Sequence, residues 1–362
     1  MTSKIVSNNK LICYSNKYFI FSKGPKLIIS TDLNCKEYKI AYIPVGSLKQ
    51  KLGSIRLFAR ALRLEPRCGI FVDDTTALIT YHGAIYRVDC TNGQIELEHS
   101  FRAEMNNPLS LVKIQGISGF EDGIYYGEYF LNHEGTAVNI YKRDNNASWN
   151  VVYTFSAGSI YHIHGLVPCK EKDCVYILTG DKDAESGIYE ARNGFQDVKV
   201  IVSGKQAYRA CIALPTEGGM LYTTDTPLES NYLYYLDFES KEIQTIAEIS
   251  GPSIYGKVIS DSEMVFSTSV EPDSKLPRWR YEFTHKPGPG IKDRKSRVYY
   301  VKNEDGKFTC EEIFAATKDI LPMGVGQFGT IMFPAGEGDL YITGQALRKY
   351  DNKTLLIKKE NK

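Results

Sequence analysis

A tyrosine recurs at a fixed interval through the middle of this chain. Tyr161, Tyr208 and Tyr255 follow one another 47 residues apart, each in matching surroundings: "SAGSIYHIHGLV", "VSGKQAYRACIAL" and "ISGPSIYGKVIS". The three stretches align on Gly158, Gly204 and Gly251 with a one-residue slip. After each comes a second apolar run ("CVYILTGD", "GMLYTTD", "EMVFSTS"), a polar loop, and a third and a fourth run. These runs are short, rich in β-branched and aromatic residues, and end at Gly, Asp, Asn or Pro, as strands do. Four strands in a unit of about 47 residues is the mark of a β-propeller blade.

Working outward, Leu109 to Ala157 and Ala59 to Phe101 read as further blades. A last unit after Ile320 ("GTIMFP", "DLYITG", "LRKYD", "TLLIKK") is expected to close against the N-terminal segment, which removes an open sheet edge. The expectation is an all-β, single-domain β-propeller over residues 1–362, with seven four-stranded blades, six being the alternative, and a ring closed by N- and C-terminal strands. Helical periodicity is confined to residues 47–64, where it is ambiguous. Residues 273–297 form a long basic and aromatic insertion between two strands of one blade, either a solvated loop or a lid or partner contact on the funnel face.

Charge excludes some partners. The 44 basic and 43 acidic residues leave a net charge of +1, so no global field draws nucleic acid. No apolar run approaches the roughly 20 residues needed to span a bilayer, and the N-terminal stretch lacks a signal-peptide core. A cytoplasmic location is the expectation, with the eight scattered cysteines reduced and buried. Tyrosine, at 25 residues, suits strands and also surfaces that stack on sugars or bases.

In a propeller, the loop entering each innermost strand and the loop joining the second and third strands open on one face. The unusual polar residues fall at those places. His162 and His164 enter one inner strand, Gln206, Tyr208 and Arg209 the next, and Tyr255 the third. Asp181, Asp225 and Glu271 leave the second strands, and the preceding blade adds Glu128, Tyr129 and Asn132. A shared funnel at the channel mouth is therefore the expected site.

The turn "KRDNNASWN" (142–150) resembles the Asp-box of sialidase-like BNR-repeat propellers through Asp144, Ser148 and Trp149, with Asn146 in the place of a turn glycine. Together with "YYGEYFLN", "IYHIHG", "LTGDKDAESGIY", "GKQAYRA", "YTTDTPLESNYLYYLD" and "STSVEP", the chain resembles bacterial glycosyl-hydrolase-like propellers of this kind over residues 110–275. The resemblance implies a carbohydrate-directed protein.

Several chemistries fit these residues. Arg209 suits the carboxylate of a uronic or sialic acid through its planar fork, or a structural ion pair. Asp181 with Asp225 or Glu271 offers the two carboxyls of glycoside hydrolysis. His162, His164 and Tyr208 offer the proton transfer of a lyase-type elimination. Two histidines two apart on a strand share a face and can also hold Zn or Mn with Asp181 or Asp225 opposite, or remain a hydrogen-bonded polar pair. "DKDAES" carries a faint calcium-loop character without the glycine and glutamate spacing of an EF-hand. Gln206, Glu128, Asn132 and Tyr255 complete the expected substrate surface. The alternative to an enzyme is a non-catalytic propeller that binds a glycan or a protein on the same face.

Overall fold

Each stretch expected as a strand in the three aligned units is one. The computed structural model describes residues 1–359. The fold is the all-β, seven-bladed β-propeller, each blade a four-stranded antiparallel sheet. Blade 1 holds Lys10–Tyr14, Phe19–Lys23, Lys26–Ser30 and Tyr38–Tyr42, and blade 2 holds Gly69–Phe71, Thr76–Tyr81, Ala84–Asp89 and Ile95–Ser100. Blade 3 holds Val112–Ile114, Gly123–Gly127, Val138–Arg143 and Trp149–Phe155. Blade 4 holds His162–Cys169, Cys174–Gly180, Gly187–Arg192 and Asp197–Ser203. Blade 5 holds Ala210–Pro215, Gly219–Thr224, Asn231–Asp237 and Ile243–Ile249. Blade 6 holds Tyr255–Ser260, Glu263–Ser267, Lys295–Glu304 and Lys307–Thr317. Blade 7 holds Thr330–Met332, Leu340–Gln345 and Thr354–Lys358, and takes its fourth strand, Thr2–Ser7, from the other end of the chain.

The tyrosine-rich composition finds its use in the second strands. Every one of them buries an aromatic ring: Phe21, Tyr81, Tyr126, Tyr176, Tyr222, Phe266 and Tyr341. A large flat side chain in each second strand fills core space that small residues would leave void. In blades 4 and 5, Tyr176 and Tyr222 share one core with Leu178, Ile188, Ala213 and Met220.

The strands group into two compact units. One comprises blades 3 to 6, within Val112–Ser274 and Pro287–Ala315; the other comprises Met1–Leu111, Lys275–Lys286 and the chain from Ala316 onward. In the latter, residues 47–64 are helical, as α1 (Ser47–Ser54) and α2 (Arg56–Ala61). The expected start of a blade at Ala59 is thereby corrected: Ala59 is buried in α2, and blade 2 begins at Gly69. Ion pairs pin this helical stretch. Arg56 forks onto Asp351 (Nε–Oδ2 2.7 Å, Nη2–Oδ1 2.5 Å), and Arg60 reaches Asp319 at 2.6 Å.

Strand Thr2–Ser7 pairs antiparallel with Thr354–Lys358 in the register Thr2↔Lys358 and Ile5↔Leu355, the closure expected from the sequence. The Asp-box-like turn joins the third and fourth strands of blade 3. Asp144 Oδ2 accepts from Asn150 Nδ2 (2.5 Å), and its amide donates to Ser148 O (2.8 Å). The left-handed residue is Ala147 (φ 65°) and not Asn146, whose side chain instead accepts the Ser148 N–H at 3.1 Å. All eight cysteines are unpaired thiols; Cys13, Cys90, Cys169, Cys174 and Cys211 are buried, while Cys35, Cys68 and Cys310 are only half-buried. Among the described residues, no helix is long and apolar enough to cross a membrane.

Candidate active site

The 47-residue repeat places His162 of blade 4 and Arg209 of blade 5 in equivalent positions, and likewise His164 and Cys211. Both first strands carry a β-bulge there. The pairing register slips between Ile163 and Gly165, and between Ala210 and Ile212, leaving His164 and Cys211 as the extra residues. A bulge re-aims a side chain that regular pleating would send elsewhere. The second strands end beside these residues, bringing Asp181 and Asp225 alongside.

These residues meet. His162 Nε2 and His164 Nε2 are 3.0 Å apart, and lie 3.4 and 3.2 Å from Asp181 Oδ1. Arg209 Nη2 contacts the same Oδ1 at 2.8 Å and Asp225 Oδ2 at 3.5 Å, while its Nη1 donates to Asp181 O at 3.1 Å. The Cys211 thiol donates to Asp225 Oδ2 at 3.4 Å. Gln206 Nε2 clamps the same loop, donating to Asp181 O and Asp183 Oδ1, both at 2.8 Å. The histidines are 1% and 3% exposed, and Asp225 5%. The Asp181 side chain, at 30%, is the opening to solvent.

Each imidazole is fixed at its far nitrogen. His162 Nδ1 lies 2.8 Å from Phe130 O, and His164 Nδ1 3.0 Å from Ala210 O. A carbonyl oxygen only accepts, so both Nδ1 atoms carry the hydrogen, and a neutral ring so held presents a bare Nε2. The Tyr129 ring lies 4.2 Å from that of His162. Gly180 is required beneath them. A Cβ there would press into the His164 ring, 3.0 Å from Nε2, and stand 3.1 Å from Arg209 Cγ. The ring is held at Nδ1 by Ala210 O and flanked by the His162 ring, so it has little room to yield. Gly180→Ala is expected to cost about 1–3 kcal/mol, read from the shift of the urea midpoint.

Burial opposes ionisation of Asp181, but the Arg209 charge, with His162 and His164 beside it, holds its carboxyl well below the usual range. Burial lowers His162 despite the charge of Asp181 beside it. Glu271, just past the second strand of blade 6, accepts a hydrogen bond from Ser269 Oγ, and its carbonyl accepts the Gly288 N–H at 2.9 Å. Burial and then the field of Asp225 push its carboxyl up to about 7, although Ser269 and Arg209 work the other way. The side chain is partly exposed.

The expected site residues thus divide. His162, His164, Asp181, Arg209, Asp225 and Gln206 form one contact network, with Glu271 in electrostatic reach of it. Tyr208 is packed in the core with Leu178 and Tyr222. Asn132 closes its own loop by accepting the Thr136 N–H (2.7 Å) and donating to Thr136 O (2.8 Å). Glu128 is buried, its Oε2 accepting the Asn139 N–H at 2.8 Å. Tyr255 opens the first strand of blade 6 and is half-buried. Cys211 and Ser269 were not among the expected residues, whereas Tyr129 was expected at the funnel beside Glu128 and Asn132. The repeat itself points to Cys211, as the counterpart of His164.

No family model matches the sequence, and no curated protein matches it. Among solved structures, the chain is similar to that of U3-55K (11% identity, TM-score 0.55, covering 98% of this chain and 97% of that one). It is similar also to the RRP9 WD40 repeats (10%, 0.55, 98% and 96%) and to a chain of the Mitotic Checkpoint Complex (8%, 0.53, 96% and 89%). At these identities the likeness is one of fold: this chain shares the β-propeller architecture of those proteins.

Proposed function

We propose that this propeller is carbohydrate-active and hydrolyses an acidic glycan seated on the Gln206–Arg209 turn, with Glu271 as proton donor and Asp225 as the second carboxyl. The observation that carries this reading is one guanidinium, Arg209, set beside Asp181 and Asp225 and in the field of Glu271, where the Asp181 side chain opens to solvent. A cation among carboxyls offers both the charge that holds a uronic or sialic carboxylate and the acid pair of glycoside hydrolysis.

The neighbouring acid supports hydrolysis. A carboxyl raised to about 7 is still half protonated at neutral pH and can protonate a leaving oxygen. Elimination finds less support, because Tyr208 is enclosed in the core and the two histidine Nε2 atoms face each other and Asp181. The resemblance of residues 110–275 to glycosyl-hydrolase-like propellers is in keeping with a glycan-directed protein.

The test is a panel of uronate- and sialate-containing oligosaccharides beside neutral counterparts, followed by reducing ends and by the ultraviolet absorbance of unsaturated products. New reducing ends from acidic members alone, without unsaturation, are expected. Unsaturated products would establish elimination instead, and cleavage confined to neutral members would end the role given to Arg209. Binding without turnover would leave a non-catalytic propeller.

A further inference from the structure

Three lone pairs face one another in blade 4. With Nδ1 of each ring donating to a carbonyl, His162 Nε2, His164 Nε2 and Asp181 Oδ1 converge as acceptors, on edges of 3.0, 3.2 and 3.4 Å. Acceptors at that range repel unless a cation lies among them. Ligand atoms about 2.0–2.1 Å from a zinc-like ion stand roughly 3.0–3.4 Å apart, the shorter edge for octahedral and the longer for tetrahedral geometry. The observed triangle has those dimensions.

We propose that His162 Nε2, His164 Nε2 and Asp181 Oδ1 bind a divalent transition metal of the zinc class. The supports behind the ligands match such a centre. Both imidazoles are oriented by main-chain carbonyls, which fixes the tautomer that ligation needs. Arg209 donates to Oδ1 at 2.8 Å, and a carboxylate oxygen keeps a second lone pair for the ion. A further set, His164, Cys211 and Asp225, offers ligand atoms all within 4.8 Å of one another, and the Asp225 carboxylate adds negative charge nearby. The rings are buried, while Asp181 opens to solvent and leaves a side for entry and for exchangeable ligands. Two imidazole nitrogens disfavour Ca²⁺ and Mg²⁺, which select oxygen. This inference does not rest on the glycan reading.

The experiment is calorimetric titration of Zn²⁺ into the full-length protein after removal of metals by a chelator, paired with the visible spectrum of the Co²⁺-loaded protein. One equivalent binding in the micromolar range or tighter is expected, with d–d bands of a low-coordinate nitrogen–oxygen site. Asp181→Asn, which keeps the side-chain volume, and His164→Ala should each weaken Zn²⁺ binding at least roughly 100-fold. Should His164→Ala fail to fold, Asp181→Asn decides. No binding by the wild type overturns the proposal, and so does affinity kept within threefold in a folded variant. Because no glycan enters the measurement, its result and that of the oligosaccharide panel are independent.

Discussion

Glu271→Gln is expected to lower turnover of an acidic oligosaccharide by roughly 10²- to 10⁴-fold while leaving its binding nearly unchanged, the loss that follows removal of a general acid. The amide fills the same space and keeps the Ser269 Oγ hydrogen bond but has no proton to give. In the wild type, kcat/KM should fall as pH rises through about 7, where the acid ionises. Stability follows the same sign. The folded pKa lies above the unfolded one, so the native state holds the extra proton; its contribution is fully present below the ordinary glutamate range and is lost as pH rises through 7. The shift corresponds to at most roughly 3–4 kcal/mol, and about half that once water around the partly exposed carboxyl is allowed for. Urea unfolding at pH 5 and pH 8 should show this loss in the wild type and not in Glu271→Gln. Equal pH dependence in the two proteins would assign the titration to another group.

Arg209→Ala should cost about 3–5 kcal/mol of folding stability, the penalty for stripping the partner from buried charge. One guanidinium spans Asp181 Oδ1 and Asp225 Oδ2 and also binds Asp181 O. Its removal leaves two carboxylates facing each other with Glu271 nearby. The lower end of the range applies, since the Asp181 side chain is 30% exposed and can draw water. Arg209→Lys keeps the charge but cannot serve both carboxylates through a planar fork, and should lose an intermediate amount. Adding Asp225→Asn to Arg209→Ala should recover part of the loss, a coupling above about 1 kcal/mol. A change of under 1 kcal/mol for Arg209→Ala would mean that solvent already screens the cluster.

The repeat made the blades legible because each blade spends its residues on the same tasks, and the tasks leave a period. The aromatic of the second strand is one such mark; the turn glycines Gly158 (φ 80°) and Gly204 (φ 94°) are another. Where the period fades, so did the reading. Ala59 looked like strand because α2 carries a mixed apolar run, and nothing in "RLFARALRL" reveals that Arg56 and Arg60 find Asp351 and Asp319 roughly 260 to 295 residues away. Asn146 looked like the left-handed residue from its type, yet its side chain works as an acceptor while Ala147 takes the turn.

At the site, spacing indicated that His162 and His164 share a face and that Asp181, Asp225 and Arg209 sit close by. The bulges that turn His164 and Cys211 inward follow from pairing with a partner strand, which one strand's own sequence does not display. The state of Glu271 is equally hidden, since it depends on Asp225 and Arg209 brought up from another blade.

Blade 7 carries a consequence for biosynthesis. Among the described strands of the propeller, Thr2–Ser7 is synthesised first and its partner, Thr354–Lys358, last. At roughly 5–20 residues per second, the early strand waits for about 20 to 70 s with its backbone edge uncovered. Its makeup suits the delay: "TSKIVS" offers hydroxyls and a lysine, and four of its six residues are exposed even in the finished sheet. A nascent chain that is sticky at this point would invite pairing with its neighbours on the polysome, and a polar leading strand guards against that.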